Sequence, residues 1–260
     1  MTDPVSHGFG GKMNMFSVII DGYERKARLY PALLLLMPVV FLICCGLASD
    51  LTLPKTLCGV GISCGGLLLL AQLARDAGKR KEKSLFARWG GMPSIAIFRH
   101  RNDRVDAITR AKYHERMSKL VGGAIAPTAA EELDDPMRAD QIYAAWSTYV
   151  RVNTRDTKKY SLVFSENINY GYRRNVYGLR PIGITVTSMS VIAALAWLYI
   201  DYNATKVISS PLVAATLVDL AMLLLWVVCF SPDWVRIPAE AYADRLVEAI
   251  DTLPSKATKK

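Results

Sequence analysis

Residues 165–181 read SENINYGYRRNVYGLRP and concentrate charged, amide and phenol side chains just before an uncharged run. On a helix, side chains three or four positions apart share a face. Guanidinium groups bind phosphate oxygens through paired hydrogen bonds, and flat rings stack on flat ligands. The segment therefore predicts a binding site for a phosphorylated or nucleotide-like ligand. The side chains that we expect to contact it are Glu166, Tyr170, Arg173, Arg174 and Tyr177.

The same segment also has a structural interpretation. Tyrosine and arginine are favoured at membrane interfaces, where an apolar body meets a polar tip. Gly171 and Gly178 would each cost an exposed helix about 1 kcal/mol relative to alanine, so something should approach the backbone closely there. That neighbour is either a ligand or another helix. A polar network within the domain or between subunits stays open beside the ligand site.

Asp219 is the second candidate, because it lies in the apolar run ATLVDLAML. An ionised carboxylate inside a membrane costs several kcal/mol unless it is paired or hydrated. The four long apolar runs contain no lysine or arginine, so we expect Asp219 to carry a proton much of the time. Counting about 1.5 Å per residue from the outer ends puts it level with Ser190, which predicts a hydrogen bond. Proton or ion coupling and simple packing, including contact between protomers, are both open.

Other motifs give little sign of catalysis. In FRHRNDR, His100 follows a predicted short strand, Ser94 to Phe98, and the next helix N-terminus could hold a phosphate there. His114 lacks the second histidine of a zinc helix, and the cysteines lack CxxC spacing. P-loop, GxGxxG, GxSxG and HExxH motifs are absent from the sequence. We expect no enzyme, no metal site and no cofactor.

The elements that must position these residues are four apolar runs. A membrane core about 30 Å thick requires roughly 17 to 25 apolar residues per helix. The sequence therefore predicts an all-α membrane protein, with four transmembrane helices in two hairpins, 29–73 and 181–230, and a mainly helical cytoplasmic domain, 74–180, between them. The predicted spans are Leu29–Leu47, Leu57–Leu73, Pro181–Ile200 and Pro211–Phe230.

Orientation follows from the basic residues. Only Lys55 and Lys206 lie in the two short connections, and the other 30 of the 32 basic residues lie outside them. Positive charge stays on the cytoplasmic side, which predicts a multi-pass inner-membrane protein with both termini in the cytoplasm. Residues 1–28 would form a tail with an interfacial helix near 14–28. A cleaved signal peptide is not expected, because the first apolar run starts too late and is too long.

Helix signals outside the spans predict five further helical segments. A helix should cover Asp103 to Leu120, a capping box should join Thr128 to Glu131, and Asp135-Pro136 should start another helix. A helix beginning near Thr157 should continue into the third span. Within 231–260, Pro238 to Leu253 has the spacing of an amphipathic helix.

The charge of the middle segment restricts which molecules the protein can bind. Segment 74–180 has 21 basic and 12 acidic residues, and its first basic run would lie at anionic lipid headgroups. Nucleic acid is not expected, because no recognition fold signature accompanies the charge.

The favoured function is a membrane sensor or effector whose domain binds a ligand or partner and alters the spans. The alternative is an oligomeric ion- or proton-coupled channel or transporter using Asp219. Four spans enclose little volume unless several copies assemble, which counts against transport by a single chain. We expect a homo-oligomer.

Overall fold

The computed structural model describes residues 25–46 and 65–254, and within these ranges all regular structure is helical. The α-helices are α1 (Tyr30–Gly46), α2 (Gly66–Arg88), α3 (Pro93–Ala96), α4 (Ala107–Leu120), α5 (Ala129–Asp134), α6 (Pro136–Asn153), α7 (Ser161–Thr205), α8 (Ser210–Leu224) and α9 (Pro232–Glu248). A π-helical turn, Arg25–Leu29, precedes α1, and another, Leu225–Cys229, follows α8. A 3-10 turn, Ala249–Thr252, follows α9.

Three helices in the described ranges are long and apolar enough to cross a membrane: Arg25–Gly46, Ser161–Thr205 and Ser210–Cys229. They include the first, third and fourth predicted spans. Of the second, Leu57–Leu73, residues 57–64 lie outside the described residues, and the rest forms the start of α2. Residues 1–24, with most of the predicted interfacial helix, are also outside them. Of the two short connections, the one that contains Lys55 is likewise outside them.

Helix α7 is a single element of 45 residues that runs from the polar part of the molecule into the apolar part. This continuity confirms the prediction that a helix beginning near Thr157 leads into the third span. At about 1.5 Å per residue the helix is roughly 68 Å long. It packs against α2 and α9 along its polar half and against α1 and α8 along its apolar half.

The predicted strand from Ser94 to Phe98 is wrong. Pro93 occupies the first turn of the short helix α3, a position where its fixed φ favours helix formation. Ser94, Ile97 and Phe98 are the buried residues, and this spacing follows a helical turn rather than a two-residue period. The next helix begins at Ala107 and not near Asp103, because the Asp106 carboxylate caps it by accepting from the Thr109 N–H at 2.9 Å.

The other capping predictions are confirmed. Thr128 Oγ1 accepts from the Glu131 N–H at 3.2 Å, and Glu131 Oε2 accepts from the Thr128 N–H at 2.7 Å. The Asp135 carboxylate accepts from the Arg138 N–H at 3.0 Å and starts α6, whose first turn contains Pro136. These local bonds fix where α5 and α6 begin.

The C-terminal segment contributes to the largest hydrophobic core of the polar half. Tyr143 and Trp146 of α6 are fully buried beside Phe98. Leu246 and Ile250, from α9 and the turn after it, belong to the same cluster. The predicted amphipathic helix therefore forms, starting earlier at Pro232, and its apolar face completes this core.

Two polar side chains of α7 tie it to the ends of the apolar helices. Asn175 is buried and donates from Nδ2 to the Ala27 carbonyl at 2.7 Å. Arg180 donates from Nε to the Trp226 carbonyl at 3.0 Å and from Nη2 to the Val227 carbonyl at 2.7 Å. The accepting carbonyls belong to the two π-helical turns, Arg25–Leu29 and Leu225–Cys229. The bonds therefore join α1, α7 and α8 where their apolar stretches meet the polar domain.

Candidate functional site

The predicted ligand-binding residues divide among different neighbours. Tyr170 and Arg174 face α2, where both contact Glu82: the Tyr170 hydroxyl donates to Oε1 at 3.3 Å, and Arg174 forms an ion pair with the same oxygen. The Arg174 guanidinium also donates to Asn175 Oδ1 at 3.2 and 3.1 Å and lies 5.4 Å from the centre of the Tyr170 ring. Only 7% of Arg174 is exposed, so this is a buried and fully engaged cation.

Arg173 points to a different helix. Its Nη1 donates to the Trp234 carbonyl of α9 at 2.9 Å, and its guanidinium lies 4.9 Å from the centre of the Trp234 ring. Tyr177 packs with Trp234 and Leu85 in the same small apolar cluster. Consecutive helical residues point about 100° apart, so the two arginines do not converge on one ligand position.

Glu166 lines a separate groove that also contains Tyr113 and Arg245. Its carboxylate accepts from Asn169 Nδ2 at 3.3 Å. The five predicted residues therefore contribute to three neighbouring environments on α7, and only Tyr170 and Arg174 share a cavity.

That cavity has a volume of about 160 Å³. Besides Tyr170 and Arg174 it is lined by residues of α2, α3, α6 and α9, with Asn167 of α7: Glu82, Phe86, Met92, Pro93, Ser94, Arg151, Asn167, Ala239 and Tyr242. Arg151 donates to the Ser147 carbonyl at 3.3 Å and to Thr148 Oγ1 at 3.0 Å, and it forms no ion pair within the described residues. The cavity wall thus holds two guanidinium groups and one carboxylate.

Burial raises the pKa of the Tyr170 phenol, and the Glu82 charge raises it further. The hydroxyl therefore stays protonated at neutral pH and acts as a hydrogen-bond donor. Since Glu82 accepts from both Tyr170 and Arg174, the carboxylate holds the two cavity side chains in place.

Sequence reasoning missed Glu82 and Arg151. Glu82 is the only acid between Lys79 and Arg88, and an isolated acid in a basic run is a signal that an internal partner exists. Arg151 carries no comparable signal, because it reaches the cavity only through the crossing of α6.

Gly178 shows which neighbour approaches the backbone of α7. A Cβ atom on this glycine would lie 2.4 Å from the Ala77 carbonyl carbon and 2.4 Å from the Gly78 nitrogen. Gly78 in turn faces Asn175, whose Oδ1 would lie 2.2 Å from an added Cβ. At this point the neighbour is therefore helix α2 rather than a ligand.

The predicted contact between Asp219 and Ser190 is confirmed. The Ser190 hydroxyl donates to Asp219 Oδ2 at 2.5 Å, and Asp219 is fully buried. Its second oxygen, Oδ1, has no hydrogen-bond partner among the described residues, and neither has the buried Thr187 hydroxyl or the Trp226 Nε1. The apolar helices thus enclose polar atoms with unused hydrogen-bonding capacity.

Two of the arginines around His100, Arg99 and Arg104, pair with carboxylates of the domain itself. Arg99 makes two hydrogen bonds to the Asp140 carboxylate, at 2.8 and 2.7 Å, and the His100 N–H donates to Glu132 at 2.8 Å. The Asp106 carboxylate already occupies the N-terminus of the following helix. The Asp106 carboxylate uses the Thr109 N–H and would repel an anion, which disfavours the phosphate position predicted there.

The described residues contain no group of three or more His, Cys, Asp or Glu side chains placed to hold a metal ion. Comparison of the chain with models of protein families, with curated proteins and with solved structures finds no match. The cavity on α7 and the Asp219 contact are therefore the features from which a function must be argued.

Proposed function

We propose that this chain is an integral membrane sensor or effector, whose domain binds a small phosphorylated or nucleotide-like ligand and alters the membrane part. The observation that carries the proposal is the continuity of α7. One face of this helix contributes Tyr170 and Arg174 to the cavity, and Ser190, about 24 Å further along its axis, contacts Asp219. A continuous helix that touches both places can transmit a displacement from one to the other.

The cavity chemistry favours an anion. Arg151 and Arg174 carry two positive charges, Glu82 carries one negative charge, and the Phe86 ring offers a flat surface. Ligand pockets for drug-sized molecules usually enclose about 300 to 1,000 Å³, so about 160 Å³ is small. We expect it to accept one end of the ligand, either a phosphate group or a single ring.

Binding would act through the ion pair that closes the cavity. An anion near Arg174 competes with Glu82 for the guanidinium, which weakens the link between α2 and α7. The backbones of these helices are in close contact at Gly78 and Gly178. A change in the distance between them must therefore shift one whole helix relative to the other. We propose that this movement is passed to the second and third spans, into which α2 and α7 lead.

The proposed setting is the inner membrane, with four spans, both termini in the cytoplasm and a homo-oligomeric assembly. The supporting observation is the concentration of basic residues outside the two short connections. Exposed lysines on α2, such as Lys79 and Lys83, lie close to the apolar stretch, where anionic headgroups would attract them.

Replacing Arg151 with Gln tests the ligand site without removing the Glu82 partner. We would measure the unfolding temperature of the detergent-purified protein with inorganic phosphate and with a panel of nucleoside phosphates, after identifying co-purified small molecules by native mass spectrometry. At a concentration of 100 Kd a ligand adds about 2.7 kcal/mol of stability. The wild type should show this stabilisation with at least one compound.

Arg151→Gln should lose most of that stabilisation, whereas Lys83→Gln, an equal charge change outside the cavity, should keep it. Equal stabilisation of wild type and Arg151→Gln would exclude the cavity as the site. A wild type that neither carries nor responds to any phosphorylated compound would refute the ligand proposal.

A channel or transporter is the second candidate, supported by the buried Asp219 with its unpartnered Oδ1. A carboxyl with a free oxygen inside a membrane can bind and release a proton during transport. Reconstituted vesicles test this, because Asp219→Asn keeps an acceptor for Ser190 but cannot ionise. Proton or cation flux that disappears in this variant supports transport, and unchanged flux removes Asp219 from the path.

A further inference from the structure

One end of α6 carries an acidic groove of about 270 Å³, lined by Ile125, Ala126, Pro127, Glu131, Asp134, Asp135, Arg138, Ala139 and Ile142. Three carboxylates and one guanidinium give it a net negative charge. Ile125 lies in this groove and is 73% exposed. Leu133 and Met137, whose sequence neighbours line the groove, are 77% and 75% exposed, so this end of the polar half presents apolar surface beside the charge.

The other end of α6 carries a basic tip, formed by the loop between α6 and α7 and the helical turns beside it. Its exposed charged residues are Arg155, Asp156, Lys158 and Lys159, which give it a net positive charge. Val152 and Leu162 flank them and are 49% and 63% exposed. The tip therefore combines apolar and positively charged side chains, and it complements the acidic groove in both properties.

The two surfaces cannot meet within one chain. Helix α6 spans Pro136–Asn153, so its ends are about 26 Å apart. We infer that the acidic groove of one copy of this chain binds the basic tip of a second copy. An interface between two different surfaces of the same chain is heterologous, and it closes into a ring when the rotation allows.

The orientation of α6 suits copies that stand side by side in one membrane. Near its start, Asp140 is bridged by Arg99 to the Gly90 carbonyl just beyond α2. Near its end, Arg151 shares the cavity with Tyr170 of α7. Measured from the contact between Gly78 and Asn175, the Gly90 and Tyr170 positions lie roughly 18 and 8 Å along their helices. Leu162 of the basic tip lies about 20 Å from the same contact along α7, so the tip stands at nearly the same level as Asp140, which is next to the groove.

A lipid surface fits the two surfaces less well than a second copy. The acidic groove would be repelled by anionic headgroups. Leu162 in the basic tip is about 27 Å along α7 from Arg180, which lies beside the apolar helices. Charge interactions are screened beyond about 8 Å at physiological ionic strength, so the tip is too far from a bilayer at that level to be attracted by it.

Charge reversal tests the pairing directly. The groove variant is Ile125→Arg with Asp134→Arg, which leaves the capping residues Glu131 and Asp135 intact. The tip variant is Lys158→Glu with Lys159→Glu. Each variant alone places like charges across the interface, so assembly measured by native mass spectrometry of the full chain in detergent should weaken about tenfold or more.

Mixing the two variants should restore assembly, because every interface in an alternating ring is then complementary. All four substitutions in one chain should restore it as well. Arg101→Glu with Lys112→Glu, two changes from basic to acidic that lie outside both surfaces, should assemble like the wild type. This readout is independent of the ligand proposal, because no substituted residue lines the cavity on α7.

Three results would overturn the inference. The first is a wild type that is monomeric in detergent and in lipid nanodiscs. The second is normal assembly of either single-surface variant. The third is failure of both the mixture and the four-substitution chain to assemble, which would mean that the two surfaces act separately or bind a different partner.

Discussion

At the scale of single residues, the partly buried Glu82 and the fully buried Asp219 meet different partners because their surroundings offer different groups. Glu82, in the polar half, accepts from a guanidinium and a phenol. Asp219, among apolar helices that contain no basic residue in their central stretches, accepts from the Ser190 hydroxyl. Removing one partner of a buried ion pair usually costs about 3 to 5 kcal/mol, whereas a hydroxyl contact inside a membrane is weaker.

Ser190→Ala should therefore destabilise the protein only modestly. Hydrogen bonds between membrane helices contribute about 0.6 kcal/mol on average and about 1.7 kcal/mol at most. We expect a loss in this range, measured as the free energy of unfolding in detergent. Thr185→Ala is the matched control, because the Thr185 hydroxyl bonds only to the Pro181 carbonyl of its own helix. A loss no greater than that of the control would mean that the contact adds no stability.

His114 gives a prediction of pH dependence. It is 5% exposed, its Nε2 lies 2.7 Å from the Phe98 carbonyl oxygen, and burial lowers its pKa. The unfolded chain, in which a histidine titrates near about 6.5, therefore binds the proton first as the pH falls. Stability from this residue is complete above that value and is lost as the pH falls toward the lower pKa of the folded state.

We expect the unfolding temperature of the wild type to fall between about pH 7.5 and about pH 5.5. His114→Gln can keep a donor for the Phe98 carbonyl but cannot titrate, so its unfolding temperature should fall less. Identical slopes for the two proteins would show that another group causes the pH dependence.

At the scale of helices, the close contact between α2 and α7 determines the shape of the candidate site. Glycine at 78 and at 178 lets the two backbones approach, and this approach brings Glu82 within reach of Arg174. Farther along α7, Gly183 accommodates the ring of Trp226 in the same way. Small residues thus place both the polar and the apolar neighbours of α7.

Gly178→Ala tests this contact. In a free helix this change would add up to about 1 kcal/mol of stability, but here the new Cβ would lie 2.4 Å from backbone atoms. Overpacking of this kind should make the substitution destabilising instead, with a loss of about 2 kcal/mol or more in the free energy of unfolding. Gly122→Ala, where no atom lies within 4 Å, should change stability little. A stabilised Gly178→Ala protein would show that α2 and α7 separate easily.

At the scale of the whole molecule, the polar domain is joined to the apolar helices along several chain segments. Helices α2 and α7 continue into the domain, and α9 returns to it directly after α8. Because α9 and the turn after it complete the domain core, movement of the domain should also move the end of α8 that adjoins α9. This architecture supports the proposed coupling between ligand and membrane part.

Labelling of intact cells tests the proposed topology. In a chain without its native cysteines, Val207→Cys should react with a membrane-impermeant maleimide, because Val207 is 66% exposed in the turn after α7. Met137→Cys is 75% exposed on α6 and should react only after the cells are opened. The distribution of basic residues predicts that the domain is cytoplasmic. Reaction at position 137 in sealed cells would therefore contradict the proposed topology.

The sequence by itself determined the features that depend on neighbouring residues. Apolar runs identified the membrane-length helices, Thr128 and Asp135 identified two helix starts, and residue counting from the helix ends paired Asp219 with Ser190. Hydropathy and capping are local properties, and helical rise is constant, so these inferences needed no knowledge of packing.

Only the tertiary structure decided which groups form the candidate site. Arg173 and Arg174 are adjacent in sequence, yet the rotation of α7 turns one to Trp234 and the other to Glu82. Arg151 reaches the same cavity because α6 crosses beside α7. The short helix at Pro93 was missed because its burial at helical spacing depends on neighbours distant in sequence. These arrangements follow from how helices pack, and packing is set by shape and burial across the whole chain rather than by any single segment.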